Sequence, residues 1–315
     1  HYYGGIHAEI DAISSSPGPV IGTTLYVNLE PCSHQGKMPP CAPRIVAEGI
    51  KRVVVGLTDP NPLVSGKGLD ILKNGGISVT EGILEKQCRW INRGFIRRNI
   101  HSRPWVTLKA AIGLDGCIAL PGGESKWITS LPSRCKTHLL RSQNDALLIG
   151  MGTARSDDPL LNVRFTEGIS PLKVLLTSGK ESVSYLKVFK EGTTLIFLPE
   201  LDPELSEQFI TPERTELIEM PRTYGSSALL DIKEVLNLLA ARDINSLMVE
   251  GGSAIASQLL GKNLVDEVSL FVAPRLMGKG IHITEDMSFR FMKDTITLRS
   301  VRINRIANDL WLEGR

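Results

Sequence analysis

The sequence predicts an α/β protein built from two domains. Short runs of β-branched and apolar residues, typical of buried strands, alternate with segments of helical periodicity along the 315 residues. Such alternation predicts strands and helices packed in layers. The polar and basic stretch 97–104 interrupts this pattern, and its charge run is typical of a solvated linker. We therefore place a boundary near residue 102, between a first domain of residues 1–102 and a second domain of residues 103–315.

Composition narrows the class of protein. Apolar residues make up 42% and charged residues 22% of the chain, which is an ordinary globular balance. The net charge of +2 gives no strong basic field for nucleic acid. No apolar run approaches the roughly 20 residues that span a bilayer, and the first residues show no signal peptide. These observations predict a cytoplasmic protein that binds neither nucleic acid nor membranes, and its five cysteines favour metal binding over disulfides.

The elements of the first domain follow from periodicity and turn chemistry. Isoleucines 6, 10 and 13 fall at helical spacing, so a helix should open near His7. The remaining helices are predicted over 41–47, 69–72 and 84–95, and the strands over 23–29, 52–57 and 77–80.

Four residues of this domain form a candidate metal site. His7 and Glu9 stand at the start of the first helix, Cys32 follows a strand, and Cys41 opens a helix. Side chains two positions apart do not share a helix face, so His7 and Glu9 converge only at a helix start. In zinc deaminases a His and two Cys bind the metal, and a Glu that is not a ligand moves the protons. Three ligands leave a fourth position open, which favours a catalytic over a structural zinc site.

The spacing of the two cysteines is unusual. Eight residues separate Cys32 from Cys41, where the general nucleobase-deaminase signature has two. This long insert, 33–40, preceded by Leu29 and Glu30, resembles the bifunctional riboflavin-biosynthesis deaminase/reductase family.

The resemblance implies a three-layer, cytidine-deaminase-like fold for the first domain and a role for each motif residue. The zinc ligands would be His7, Cys32 and Cys41, the proton carrier Glu9, and the substrate contacts His34 and Lys37. His34 as a fourth zinc ligand stays open from the residues alone. Only six residues precede His7, where the family has a helix and two strands, so a reductase with an inactive deaminase half is the main alternative. A nucleic-acid base deaminase and a zinc-stabilised binding module are further alternatives.

The second domain shows more strands. They are predicted over 105–111, 146–150, 173–177, 194–198, 216–219, 246–250 and 267–273, with a closing hairpin near 295–302 and 309–313. Helices are predicted over 132–143, 231–242 and 254–260. No G-x-G-x-x-G follows the first strand, but the glycine-rich turns 150–153 and 250–256 could each approach a phosphate.

Four motifs of this domain, 114–116, 123–129, 157–161 and 249–252, resemble the reductase half of the same family. The resemblance implies a fold similar to dihydrofolate reductase and the use of NADPH. Matched positions imply cofactor contacts from Ala111, Trp127, Thr153, Asp157, Ser178, Gly252, Ser253, Ala254, Ile255, Ala256, Ser257 and Gln258. They imply substrate contacts from Ser125, Arg141, Leu161, Arg164 and Glu250.

These residue types suit the implied chemistry. Arg141 and Arg164 could clamp a phosphate, and Glu250 could accept hydrogen bonds from sugar hydroxyls. Trp127 offers a flat face to a nicotinamide ring, with a core position as the alternative, and Lys109 could point into the same pocket. The resemblance implies hydrolytic deamination of a phosphoribosylamino-pyrimidine, then reduction of its ribosyl group to ribityl, in a homo-oligomer assembled through the reductase half. No side chain identifies itself as the acid of the reduction.

Overall fold

The computed structural model describes residues 6–35, 38–61, 64–179, 183–201, 213–221, 230–284 and 287–315. The chain divides into two compact units, His1–Ser102 and Arg103–Arg315. Both units mix strands with helices, as the alternating pattern predicts. Within the described residues, no helix combines the length and the apolar character needed to cross a membrane.

The first unit is organised around a parallel sheet. Its helices are α1 (Ala8–Ser14), α2 (Cys41–Ala47), α3 (Lys67–Asn74), α4 (Glu85–Ile91) and α5 (Arg93–His101). Its strands are β1 (Thr24–Val27), β2 (Arg52–Val55) and β3 (Ser78–Glu81), in the order β1-β2-β3. All pairs are parallel, and Val27 lies opposite Val55.

The core of the first unit fixes the start of α2. Cys41, Ala42 and Ile45 of this helix are fully buried and share one apolar cluster with Val53 and Val55 of β2. Because this face of α2 cannot move without opening the core, the Cys41 thiol is held in place by packing as well as by its own contacts.

Two predictions about the end of the first unit are wrong. The predicted helix 84–95 is two helices that meet at Asn92, whose side-chain amide donates to the Cys88 carbonyl at 2.9 Å. The predicted linker over 97–104 is helical through His101, within α5. Residues 93–98 are half-buried, so the basic side chains belong to a partly covered helix and not to a solvated linker. A charge run alone does not distinguish such a helix from a linker.

The second unit is larger. Its strands are β4 (Trp105–Ile112), β5 (Cys117–Ala119), β6 (Ala146–Gly150), β7 (Leu172–Leu176), β8 (Thr194–Pro199), β9 (Thr215–Met220), β10 (Ser246–Val249), β11 (Glu267–Val272), β12 (Ile281–His282), β13 (Arg302–Ile306) and β14 (Asp309–Gly314). Its helices are α6 (Leu131–Ser142), α7 (Met151–Asp157), α8 (Ile232–Ala241) and α9 (Ser253–Gly261), with 3₁₀ turns at Lys187–Phe189 and Met292–Asp294.

Nine of these strands form one sheet, in the order β13-β14-β11-β4-β10-β6-β7-β8-β9. The strands from β11 to β9 run parallel, and β14 and β13 are antiparallel at one edge. Neighbouring residues such as Leu147 and Leu148 belong to different core clusters, so both faces of the sheet are covered. The carboxyl ends of β4, β10 and β6 are adjacent, and ligands of parallel sheets bind at such an edge.

The C-terminal hairpin differs from its prediction. Its first strand is Arg302–Ile306, whereas residues 295–300 form no strand. The two-residue loop of Ala307, with φ +53°, and Asn308 sets the register and pairs Ile303 with Leu312. The small antiparallel pair of β5 and β12 was not predicted, because each strand is only two or three residues long.

Candidate active sites

The predicted metal ligands converge in the first unit. His7 caps the N-terminus of α1 in an extended conformation, which turns its side chain toward the start of α2. Its Nδ1 lies 3.2 Å from Cys41 Sγ and 3.5 Å from Cys32 Sγ. The three ligand atoms all lie within 4.8 Å of one another. The predicted helix starts at His7 and Cys41 are confirmed, and they bring the three side chains together.

The donor set fits zinc. Zn–S and Zn–N bonds of about 2.3 and 2.0–2.1 Å at a tetrahedral angle place nitrogen and sulfur roughly 3.6 Å apart. The observed separations of 3.2 and 3.5 Å are close to that value. One imidazole and two thiolates are also ligands that zinc prefers. The cluster therefore has both the chemistry and the spacing of a zinc site.

The surroundings of the two thiols favour a thiolate. The hydrogen bond with Cys41 is the main cause that lowers the pKa of Cys32 to about 5, and the backbone N–H of Cys41 also donates to Cys32 Sγ at 3.2 Å. The same pairing raises the pKa of Cys41, because one proton is shared between the two sulfurs. Glu9 lies in the first turn of α1, and burial raises the pKa of its carboxyl although His7 partly opposes the shift.

Glu30 is a functional residue that sequence reasoning missed. It is 5% exposed, two positions before Cys32, and its carboxylate accepts hydrogen bonds from four backbone N–H groups. These donors are Asp59 at 3.0 Å, Gly66 at 3.0 Å, Gly68 at 2.8 Å and Leu69 at 3.4 Å. These contacts tie Asp59, Gly66 and the first turn of α3 to the segment that carries Cys32. An acidic residue directly after the predicted strand 23–29 was the available signal.

The other two predicted residues of this half lie apart from the cluster. His34 is exposed and does not belong to the set of ligand atoms formed by His7, Cys32 and Cys41. Its predicted substrate contact is not tested by the structure. Lys37 lies outside the described residues.

A cavity of about 830 Å³ opens in the second unit at the carboxyl ends of the central strands. Most of the predicted reductase residues line it. They are Lys109, Ala111, Ser125, Trp127, Arg141, Thr153, Asp157, Leu161, Arg164, Glu250, Gly252, Ser253 and Ala254. The sequence pattern therefore locates the cavity, but it does not give the contacts inside it.

The main contact is a buried ion pair. Arg141 Nε and Nη2 donate to the two carboxylate oxygens of Glu250 at 2.7 and 2.9 Å, and Arg141 Nη1 donates to the Asn162 carbonyl at 3.1 Å. Arg141 is 8% exposed, so it is not a surface arginine. Lys109 Nζ lies 3.8 Å from Glu250 Oε2.

This cluster sets the charge on Glu250. Burial alone would raise the pKa of its carboxyl, but Arg141 and Lys109 outweigh burial and lower the pKa to about 2. Burial lowers the pKa of Lys109, against the attraction of Glu250. At neutral pH the cavity lining therefore contains a fixed carboxylate, and each of its oxygens can accept more than one hydrogen bond.

Arg164 stands near a histidine that sequence reasoning missed. The backbone N–H of Arg164 donates to Nδ1 of His138 at 3.2 Å, and Arg164 Nη1 donates to Asn162 Oδ1 at 2.8 Å. The guanidinium of Arg164 lies 4.9 Å from the ring centroid of Phe165, and the His138 ring lies 4.6 Å from the same centroid. His138 precedes Arg141 by three positions on α6, so helical spacing from a predicted site residue was a usable signal.

The side chain of Trp127 lines the cavity and is not part of the core. It is 58% exposed, and the guanidinium of Arg134 lies 4.1 Å from its ring centroid. Next to it, Ser125 Oγ donates to Asp157 Oδ1 at 2.7 Å and Lys126 Nζ donates to the Asp157 carbonyl at 2.8 Å. Residues predicted to contact substrate and cofactor, Ser125 and Asp157, thus also bind each other.

Only the first residues of the predicted cofactor-binding segment 252–258, at the N-terminus of α9, line the cavity. Gly252 caps this helix, and Ser253 and Ala254 complete the part that lines the cavity. The side chain of Ile255 packs against Gly150 and Gly251, and Ala256 is buried in the core. Ser257 is 8% exposed, and neither it nor Gln258 lines the cavity. Ser178 follows β7 and is likewise outside the lining.

Known protein families match both units. The profile of the RibD C-terminal domain matches residues 104–312, and that of the cytidine and deoxycytidylate deaminase zinc-binding region matches residues 1–57. The riboflavin biosynthesis protein RibD of Aquifex aeolicus is 38% identical over 312 residues, which are 96% of this chain and 83% of that protein. The RibD of Escherichia coli is 35% identical over 286 residues, covering 86% of this chain and 76% of that protein.

Solved structures agree with these matches. RibD of Acinetobacter baumannii superimposes with a TM-score of 0.85 at 31% identity, covering 99% of this chain and 86% of that chain. The Thermotoga maritima diaminohydroxyphosphoribosylaminopyrimidine deaminase/5-amino-6-(5-phosphoribosylamino)uracil reductase gives 0.83 at 35% identity, covering 100% and 86%. The predicted pairing of a cytidine-deaminase-like unit with a reductase unit is confirmed. With these matches spanning both of its units, the chain belongs to the RibD family of riboflavin-biosynthesis proteins.

Proposed function

We propose that the zinc cluster and the cavity are the two active sites of this bifunctional enzyme of riboflavin biosynthesis. The family makes it a zinc-dependent deaminase and an NADPH-dependent reductase. Its substrates would be 2,5-diamino-6-(5-phosphoribosylamino)pyrimidin-4-one and then 5-amino-6-(5-phosphoribosylamino)uracil, as the name of the Thermotoga relative indicates. The observation that carries the proposal is the convergence of His7, Cys32 and Cys41 within 4.8 Å, close to Glu9 in sequence.

In the deaminase half, His7, Cys32 and Cys41 would hold the metal and Glu9 would move the protons. Zinc, when bound, supplies the Lewis acidity that lowers the pKa of a coordinated water to about 7. Glu9 stays outside the ligand set, so its carboxyl is available to carry a proton to the amino nitrogen that leaves as ammonia. Glu30 anchors the segment in which Cys32 stands.

In the reductase half, NADPH supplies the hydride to C1 of the ribosyl group. Gly252 and Ser253, at the start of a nine-residue helix, would offer backbone N–H groups to the phosphates of the cofactor, with Thr153 nearby in the lining. Glu250, held by Arg141, would accept hydrogen bonds from the sugar hydroxyls. Arg164 would bind the phosphate of the substrate.

A reductase alone, with an inactive deaminase half, is not favoured. The zinc-binding profile matches residues 1–57, and all three ligand atoms are in place. The test is an assay of the full chain with zinc, in which ammonia release from the diamino substrate and NADPH oxidation with the deaminated product are followed separately. We expect both. NADPH oxidation without ammonia release would restore the reductase-only alternative, and neither activity from folded, zinc-loaded protein would overturn the proposal.

We propose in addition that the protein is a cytoplasmic homo-oligomer assembled through the reductase unit. The edge strand β13 and its neighbours expose apolar side chains, among them Val301, Ile303 and Leu310 at 46, 62 and 43%. Such edges are usually covered or charged in monomers. Light scattering should give a mass of at least twice 34.5 kDa, and Ile303→Lys should lower it. A monomer at micromolar concentration would contradict assembly, and cell fractionation tests the location.

A further inference from the structure

His138 has an unused hydrogen-bonding atom in the reductase cavity. The residue lies on α6, is 3% exposed, and lines the cavity with Arg141 and Arg164. None of the roles assigned above uses it. Its ring is held by Phe165, at a centroid distance of 4.6 Å and an interplanar angle of 59°.

The contact with Arg164 fixes which nitrogen of His138 carries the hydrogen. The backbone N–H of Arg164 donates to Nδ1 at 3.2 Å, and only an unprotonated nitrogen can accept it. The hydrogen of the neutral imidazole is therefore on Nε2. Burial, followed by the charges of Arg141 and Arg164, lowers the pKa of His138 to about 4, so this neutral form prevails at pH 7.

The Nε2–H group has no protein acceptor among the described residues, and His138 borders open space. Three guanidinium groups line the same cavity, from Arg134, Arg141 and Arg164. Arg141 is neutralised by Glu250, whereas Arg134 and Arg164 form no ion pair with a carboxylate in the described part of the chain. Their excess positive charge favours an anionic ligand at this end of the cavity.

We propose that His138 is a substrate-binding residue of the reductase site, whose Nε2–H donates to a phosphate oxygen of the phosphoribosylamino substrate beside Arg164. This inference rests on the proposed function of the cavity. It assigns His138 two separable tasks. Nδ1 holds the backbone at Arg164, and Nε2 contacts the ligand.

Two amide substitutions separate these tasks. In His138→Asn, the side-chain oxygen can replace Nδ1 as the acceptor for Arg164, but nothing replaces the Nε2–H donor. In His138→Gln, the longer amide can reach the Nε2 position, but the Arg164 N–H loses its acceptor. We expect His138→Asn to raise KM for the phosphorylated substrate about 10- to 100-fold, the usual effect of one hydrogen bond to a charged group. The kcat value and the KM for NADPH should stay near wild type.

We expect His138→Gln to keep KM within about threefold of wild type, but to lower the unfolding temperature because a buried N–H is left without a partner. The same assays with the dephosphorylated substrate, and with inorganic phosphate as a competitive inhibitor, identify the contact. The effect of His138→Asn should disappear without the substrate phosphate, and inhibition by phosphate should weaken. His101→Asn, at an exposed histidine of the other unit, is the control.

Three outcomes would overturn the inference. An equal loss with the phosphorylated and dephosphorylated substrates would exclude the phosphate contact. A raised KM for NADPH alone would assign the donor to a phosphate of the cofactor. Equal effects of Asn and Gln on KM would leave His138 only its structural task. In all three outcomes the wild-type enzyme still reduces its substrate. If the wild-type protein showed no reductase turnover, the proposed function itself would be contradicted.

Discussion

The zinc cluster and the reductase cavity differ in the sequence distance between their key partners. His7 and Cys41, the outer members of the cluster, are 34 positions apart, and both stand at the starts of short helices. Arg141 lies on α6 and Glu250 directly after β10, 109 positions apart along the chain. One site thus collects its ligands along a short segment, whereas the other is assembled by the fold of the whole unit.

The two sites also differ in which groups balance the charges of their side chains. Within the described residues, the thiols of the first site are hydrogen-bonded to each other, to His7 and to backbone, and no side chain supplies a full positive charge, so a cation would complete the cluster. In the second site the protein supplies both charges of the ion pair. We therefore expect the first site to be sensitive to metal, and the second to be sensitive to any change in buried charge.

The largest effect should come from removing the buried carboxylate. Glu250→Gln leaves Arg141 charged and 8% exposed without its partner, which typically costs about 3–5 kcal/mol. Urea unfolding of the full chain measures this loss in the free energy of unfolding. The transition that belongs to the second unit is the one whose midpoint shifts when NADPH is added. Replacing both residues, in Arg141→Met with Glu250→Leu, should recover part of the stability because the buried guanidinium is removed together with its carboxylate, although Lys109 keeps its buried amino group. A loss below about 1 kcal/mol in Glu250→Gln would contradict the buried pair.

The same pair predicts a pH dependence. The pKa of Glu250 is about 2 in the folded protein, against an ordinary value of 4.5. The unfolded chain therefore binds the proton first as pH falls, and this contribution, about 3 kcal/mol at neutral pH, is lost between roughly pH 5 and pH 2. Urea midpoints of the wild type and of Glu250→Gln should approach each other from pH 6 to pH 4. A constant gap would show that the carboxyl is not perturbed.

A smaller effect is expected where a carboxylate supports the metal site. Glu30→Gln replaces one acceptor oxygen by an amide that faces backbone N–H groups, at a cost of about 1–3 kcal/mol. Since the anchored segment carries Cys32, zinc affinity should fall about 10- to 100-fold. Competition with a chelator measures zinc retention. Glu48→Gln, at the end of α2, is the control, and equal zinc retention in both variants would contradict the role of Glu30.

The smallest effect is expected for an exposed ion pair of the same chemistry. Arg242 Nη2 lies 2.7 Å from Glu216 Oε1, which matches the distance in the buried pair, but the two side chains are 34 and 51% exposed. Arg242→Gln should therefore cost less than about 1 kcal/mol. If Arg242→Gln cost as much free energy of unfolding as Glu250→Gln, burial would not determine how much each ion pair contributes to stability.

The short-range features of the protein were predictable from sequence. The helix starts at His7 and Cys41 follow from local periodicity and proline placement, and together they give the zinc cluster. The central strands of the large sheet are buried on both faces, so their apolar runs identify them without the topology. The predicted roles of the site residues stay predictions, because geometry alone does not test what they bind.

The long-range pairings were not predictable. Nothing in the sequence near Arg141 indicates that Glu250 accepts from Nε and Nη2 of its guanidinium. The four donors to Glu30 are also distant, since they come from Asp59, Gly66 and the first turn of α3, about thirty to forty positions later. The family resemblance was enough to place Arg141 in the cavity, but not to give its partner. The proposed role of His138 depends on which of its ring nitrogens faces Arg164, and only the three-dimensional structure shows that this is Nδ1.

The most direct measurement follows ammonia release and NADPH oxidation separately in two full-length variants, below their unfolding temperatures. Cys41→Ser should lose zinc and lower deamination by more than about 100-fold, since even partners outside the ligand set cost about 10- to 100-fold. It should oxidise NADPH normally with the deaminated substrate. Glu250→Gln should keep its zinc and release ammonia normally, but it should lose NADPH oxidation with the deaminated substrate. Loss of both activities in either folded variant, or full ammonia release from Cys41→Ser, would contradict two separate sites of the kind described.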